Sequence, residues 1–157
     1  MNQTTDYLAN IRRIIKLQES MLKEYICQEY GLTLSEAMVI SFLHNNPGKD
    51  TAADIVEFRM LQKSNVSQAV DALVKKSLLM REQDAGDRRK IHLSLTKKAE
   101  DLVQAVERMR VEFHQEVFDG ITEEERILFA KVNARMAENA QHATEKRLQS
   151  KGEKKHE

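Results

Sequence analysis

The segment Ser64-Asn65-Val66-Ser67-Gln68 and the run Asp87-Arg88-Arg89-Lys90 hold the side chains of this sequence best suited to a polar partner. Asn and Gln each carry a donor and an acceptor on one planar group, the pattern that pairs with the N6/N7 edge of adenine, and Ser contacts either bases or phosphates. Arginines on a narrow loop have the reach and charge to enter a narrow minor groove, where the negative potential is enhanced. At 100° per residue, Ser64, Gln68, Asp71 and Lys75 fall on one side of a helix spanning 62–76, and Val66, Val70 and Leu73 cluster on the other. Such a helix docks through its apolar face and presents the polar one, with Ser64, Asn65 and Gln68 near its amino end. The DNA-facing candidates are Ser64, Asn65, Ser67, Gln68 and Lys75 on this helix, and Arg88, Arg89 and Lys90 beyond it. A solvated polar surface is the competing reading.

Nothing of comparable specificity points to catalysis. The sequence has no Gly-rich phosphate loop and no GxSxG element. His44, His92, His114, His142 and His156 show no close ligand spacing with a cysteine or a second histidine. The expectation is a non-enzyme with no catalytic residue, no metal site and no cofactor. Cys27, flanked by Tyr25 and Tyr30, opens an alternative as a redox sensor, but no cationic cluster is visible that would lower its pKa. A single cysteine also leaves no intramolecular disulfide, in keeping with a reducing compartment.

The balance of 25 cationic and 25 anionic side chains hides an uneven distribution. Residues 59–98 carry ten Lys/Arg against four Asp/Glu, a net +6, whereas 1–58 and 99–157 each come to −3. A basic middle between acidic flanks is what a local DNA-contacting module on a neutral body shows. The longest apolar runs fall far short of the roughly 20 residues that span a bilayer, and the start MNQTTDY lacks a signal-peptide core. A cytoplasmic chain with no membrane partner is expected.

The elements that would hold these residues follow from periodicity and caps. Leu8, Ile11, Ile15, Leu22 and Ile26 predict an amphipathic helix over about 6–29, ended by Gly31. Thr33 with Glu36 has the spacing of a capping box for a helix that stops at Asn46-Pro47-Gly48. Thr51 caps a shorter helix through Phe58, and the 62–76 helix follows a bend at Arg59-Met60-Leu61. The period then changes from 3.6 to 2: Leu78 to Gln83 and Ile91 to Leu95 form a hairpin around a charged tip. Thr96 is expected to cap a helix to about Phe118, with Ala99, Leu102, Val106, Met109, Phe113 and Val117 on one stripe, and Gly120 ends it. Thr122 and Glu125 open a last helix that fades into a charged tail over 149–157, expected to be disordered.

The fold class is therefore mainly α with a small β-hairpin wing: a winged helix-turn-helix lobe over about 33–98, carried by long helices over about 6–29 and 99–148 that serve dimerisation, all in one domain over 1–148. Asn65 through Lys76, then Leu78-Leu79-Met80-Arg81, then Asp84 through Thr96, and above all Asp87-Arg88-Arg89 followed six residues on by Leu95-Thr96, resemble the MarR family of regulators. Ser77 stands where the family usually has a glycine, and Lys98-Ala99 replaces a frequent Lys-Gly. The resemblance implies a homodimer on double-stranded DNA, an Asp87 that pairs with an arginine and orders the wing, and a wing arginine in the minor groove, Arg89 ahead of Arg88. It also implies a small aromatic or phenolic anion as effector. A helical protein-protein adaptor without DNA binding stays open beside it.

Overall fold

The computed structural model describes residues 3–59 and 61–153, with side chains described over 7–59 and 61–150. The expected bend at 59–61 includes residue 60, which lies outside the described residues. The chain divides into two compact units, residues 1–117 and 118–157, where the sequence suggested one domain over 1–148.

The first unit begins with α1 (Gln3–Leu22), continued by a π-helical stretch (Lys23–Cys27) and a short α2 (Gln28–Tyr30). Its apolar stripe divides in two: Leu22 and Ile26 are fully buried, whereas Leu8 and Ile15 stay exposed. Gly31, at φ 64°, ends it in the left-handed conformation that costs glycine nothing. The Thr33–Glu36 capping box forms as expected: Glu36 N–H donates to Thr33 Oγ1 at 3.2 Å, and Thr33 N–H donates to Glu36 Oε2 at 3.1 Å. It opens α3 (Leu34–Asn45), and Thr51 opens α4 (Ala52–Arg59) through a reciprocal pair of bonds with Asp54. α5 spans Lys63–Lys75, within the predicted 62–76. Strands β1 (Leu79–Gln83) and β2 (Ile91–Leu95) pair antiparallel, Leu79 opposite Leu95 and Gln83 opposite Ile91.

One core joins these elements. Ile26, Ile40, Phe42, Ile55, Leu73, Leu79 and Val106 are all at most 1% exposed, and each such side chain contributes about 1.5–3 kcal/mol by leaving water. α6 (Glu100–Val117) supplies Leu102, Ala105, Val106 and Met109 to it, with Phe113 packed at its margin.

Two junctions depart from expectation or carry strain. Thr96 was expected to cap α6; instead its hydroxyl donates to the Ser77 carbonyl at 2.7 Å, and a 3₁₀ turn (Lys97–Ala99) intervenes before the helix. This hydroxyl donates to the carbonyl of the turn after α5, so the bond locks the base of the hairpin. That turn ends α5 in a Schellman motif, Ser77 N–H donating to Val74 O at 2.9 Å and Leu78 N–H to Leu73 O at 3.0 Å. The motif requires a left-handed residue, and Ser77 takes it at φ 59° without being glycine. The glycine usual in the resembling family is thus replaced, but its conformation is kept.

The second unit is the end of the chain after α6. Thr122 and Glu125 form the predicted capping box, and Arg126 stacks over the Phe118 ring at 5.3 Å while donating to the Phe118 carbonyl. α7 runs Glu123–Glu153, so 149–153 are helical rather than part of a disordered tail. Glu, Gln and Lys are good helix formers, and charge alone does not stop a helix whose backbone bonds are satisfied. Residues 154–157 of the expected tail lie outside the described residues.

Candidate nucleic-acid interface

α5 divides cleanly by burial. Val66, Ala69, Val70 and Leu73 are at most 4% exposed and face the core, while Ser64, Asn65, Ser67, Gln68 and Lys75 are all exposed. The apolar side fixes the helix, so the polar side is presented by a rigid element rather than by a loop. Asn65 and Gln68 line a shallow groove of about 340 Å³ whose far wall is Thr33, Ser35 and Glu36 at the start of α3. The Glu36 carboxylate at its base is buried and takes a 2.7 Å ion pair from Lys76, which offsets its charge. Lys98 Nζ donates to the Lys76 carbonyl at 3.0 Å, tying the segment before α6 to the same corner. On the outer face of α5, Asp71 accepts from the Arg81 guanidinium, a bond that ties this helix to β1.

The hairpin tip is built from two successive Asx turns. Asp84 Oδ1 accepts the N–H groups of Gly86 and Asp87, both at 2.8 Å. Asp87 Oδ1 then accepts the N–H of Arg89 at 3.0 Å, and Lys90 N–H closes a four-residue turn on the Asp87 carbonyl at 2.9 Å. Arg88 and Arg89 therefore occupy the two central turn positions, where side chains point outward, and both are exposed, as is Lys90. Gln83 Nε2 holds the Arg88 carbonyl at 2.8 Å, and Asp84 N–H closes the hairpin on the Lys90 carbonyl at 3.0 Å. The Asp87 carboxylate is bonded to the backbone N–H of Arg89, and among the described residues it has no bond to an arginine side chain of the kind the resemblance implies. A short carboxylate at the first position of a turn reaches the N–H two residues on more readily than a mobile guanidinium.

The strongest electrostatic feature of the wing was not singled out from sequence. His92 on β2 lies between two carboxylates, Nδ1 at 2.8 Å from Asp50 Oδ1 and Nε2 at 2.9 Å from Asp84 Oδ2. Asp84 and then Asp50 hold the His92 pKa above its ordinary value, and the His92 bond, with the two backbone N–H groups, holds Asp84 well below the usual carboxylate range. Leu93 N–H also donates to the Asp50 carbonyl at 2.7 Å, so the loop before α4 supports β2 through backbone and side chain together. Asp84 lies in the charged hairpin tip that the sequence shows; Asp50, 42 residues from His92, carries no such signal. Burial works against the ionised Asp54 next to this loop, yet bonds from Thr51 and the charges of Lys49 and Lys90 prevail and lower its pKa.

Cys27 is half-buried, and burial pushes its thiol up against the opposing charge of Lys23, with Glu36 adding to the rise. A reactive thiolate is disfavoured there. Among the described residues no group of three or more His, Cys, Asp or Glu side chains is arranged to hold a metal ion, and no described helix is long and apolar enough to cross a membrane.

Residues 30–90, which hold α3, α4, α5, β1 and the wing turn, match the MarR family. The chain is 24% identical over 129 residues to the uncharacterized HTH-type transcriptional regulator YsmB of Bacillus subtilis (strain 168), covering 80% of this chain and 88% of that protein. A MarR family transcriptional regulator from Silicibacter pomeroyi superimposes with a TM-score of 0.72 at 26% identity, covering 86% of this chain and 88% of its own. The same fold recurs, at 20% identity and a TM-score of 0.73, in a MarR family regulator from Listeria monocytogenes complexed with 26mer DNA, over 84% of this chain and 87% of that one. A buried-backed helix beside a charged hairpin, the match over that region and the fold shared over most of the chain point the same way: residues 30–90 form a MarR-type winged-helix region, on a fold shared with MarR family transcriptional regulators.

Proposed function

We propose that the chain is a homodimeric repressor that binds a pseudo-palindromic operator, reading base edges with Ser64, Asn65, Ser67 and Gln68 and holding the duplex with Lys75, Arg88, Arg89 and Lys90. The observation that carries this reading is the division of α5: an exposed polar face on a helix whose other face is locked in the core, beside a turn that projects two arginines. Phosphate and groove cations give affinity without sequence, and the amide and hydroxyl groups give sequence. A dimer seated on such a site occludes it, which is the simplest route to repression.

Two further observations support the finer parts of the proposal. α7 exposes Ile127, Leu128, Phe129, Val132 and Leu148, and α1 exposes Leu8, Ile14 and Ile15, apolar surface of the extent that marks an interaction site. A second copy is the occupant the family resemblance implies. Within the first unit, a cleft of about 430 Å³ is lined by Gln18, His44, Pro47, Glu107, Arg110 and Phe113. Its aromatic ring and its cations suit a small aromatic anion that competes with Glu107 for His44 and Arg110, now paired at 3.2 Å and 2.5 Å.

The test is in-vitro selection of duplexes by the full chain, coupled to sedimentation. The expected sites are two-fold symmetric with half-sites about 10 bp apart, because two recognition helices must enter successive major grooves on one side of the duplex. The double substitution Leu128→Glu, Val132→Glu should convert the dimer to a monomer and abolish tight binding. Asymmetric selected sites, or a dimer unmoved by the substitutions, would refute the corresponding part.

A further inference from the structure

His92 is flanked so that only one of its protonation states satisfies both neighbours. Each ring nitrogen faces a carboxylate oxygen, at 2.8 Å on the Asp50 side and 2.9 Å on the Asp84 side. An imidazolium donates from both nitrogens; a neutral ring donates from one and turns the lone pair of the other toward an anion. The second partner, Asp84, is the residue whose other oxygen holds the N–H groups of Gly86 and Asp87 and so sets the turn that carries Arg88 and Arg89. The first, Asp50, sits in the loop before α4, so the imidazole joins the wing tip to the body of the lobe.

We propose that His92 is a positioning residue for DNA binding: protonated, it clamps the wing turn between Asp84 and Asp50 and presents Arg88 and Arg89 in their groove-facing arrangement, and losing the proton releases the clamp. This rests on the DNA-binding role of the wing argued above. No other titratable group around the ring supplies the effect. Glu82 lies opposite on β1, Lys90 precedes on the turn, Lys49 adjoins Asp50, and Asp54 on α4 is bonded to Thr51. On α3, Glu36 is paired with Lys76 and His44 with Glu107, and on β1 Arg81 is paired with Asp71.

The sign follows from the direction of the shift. The His92 pKa is raised by its carboxylate partners, so its contribution is fully present below the ordinary histidine value of about 6.5 and is lost as pH rises through the elevated one. Asp84 is shifted the other way and stays ionised throughout that window.

The experiment measures anisotropy on the selected duplex from about pH 6.5 to about pH 8.5 for three full-length proteins, with the nitrogen chemical shifts of His92 recorded over the same range. Wild-type affinity should fall by roughly three- to tenfold across this window. His92→Gln should bind about as weakly as wild type does at the alkaline end, with a flat profile. Asp50→Asn, whose amide either accepts from Nδ1–H or donates to a bare Nδ1, should move the midpoint to lower pH. The spectra should show both nitrogens of His92 protonated at the acid end, with the loss of the proton centred above the ordinary histidine value of about 6.5. Parallel pH profiles for wild type and His92→Gln, or a His92 titration centred at or below about 6.5, would overturn the proposal. Absence of binding by all three proteins at every pH is a separate result: it contradicts the DNA reading itself and removes the proposal with it.

Discussion

α5 and the wing turn, the two elements proposed above to meet DNA, are held in opposite ways. α5 is anchored by Val66, Val70 and Leu73, none more than 2% exposed, with apolar contacts that neither titrate nor respond to salt. The wing turn has no core of its own: its shape comes from Asp84, Asp87, Gln83 and His92, through hydrogen bonds and charges on an exposed surface. If α5 reads sequence and the wing attracts the groove, as proposed, the difference teaches that the two tasks answer to different conditions. Temperature and core substitutions should act on both through global stability, whereas pH and salt should act on the wing first.

The largest effect expected from breaking this contrast is at Leu73. Leu73→Ala leaves a cavity under α5, and its loss of stability should be about 2–5 kcal/mol, read by urea denaturation. DNA binding should fall only in conditions where the variant begins to unfold, because the polar face is untouched. A variant as stable as wild type would mean that α5 is not anchored as described.

Next in size is the wing carboxylate pair. Asp84→Ala removes two backbone acceptor bonds and the His92 contact, and Asp87→Ala removes one backbone bond, so both should weaken binding although each deletes a negative charge near DNA. Asp84→Ala should cost more, about 1–2 kcal/mol of binding, since ordering the turn is then left to DNA. Tighter binding by either variant would show that simple charge, not turn geometry, governs the wing. Smallest is Ser77→Gly, which relieves a left-handed non-glycine residue while retaining the carbonyl that accepts from Thr96. Stability should rise by about 0.5–1 kcal/mol with binding unchanged, and a loss of stability would mean that the serine side chain matters at that turn.

What was legible in the sequence was what depends on near neighbours. The Thr33–Glu36 and Thr122–Glu125 boxes, the split of α5 into two faces, and the hairpin over 78–95 are all set within a few residues of the groups that form them. Even the odd Ser77 was visible as a departure from the resembling family, and its positive φ explains why glycine is usual there. Illegible were the contacts closed by the fold. His92 showed no metal-ligand spacing and passed as one histidine among five, because its partner Asp50 arrives from 42 residues away. Thr96 looked like a cap since its position before a helix is right for one, but a 3₁₀ turn intervenes and its hydroxyl donates to the Ser77 carbonyl, brought near by the hairpin. The apolar stripe of the first helix read as continuous, and only the packing divides it between a buried end at Leu22 and Ile26 and an exposed end at Leu8 and Ile15. Nothing in residues 23–27 explains the π-helical turn there.

The central claim, that α5 reads sequence while the wing supplies attraction, is tested most directly by one set of anisotropy titrations: wild type, Gln68→Ala and Arg89→Ala on the selected duplex and on its scrambled counterpart, each at several salt concentrations. Gln68→Ala should lose about 1–3 kcal/mol on the selected duplex and almost nothing on the scrambled one, with an unchanged salt slope. Arg89→Ala should weaken binding to both, more on the selected duplex, and should make the dependence on salt shallower by about one ion per protomer. If Gln68→Ala weakens both duplexes equally, or if Arg89→Ala is silent at every salt concentration, the division of labour between helix and wing is wrong.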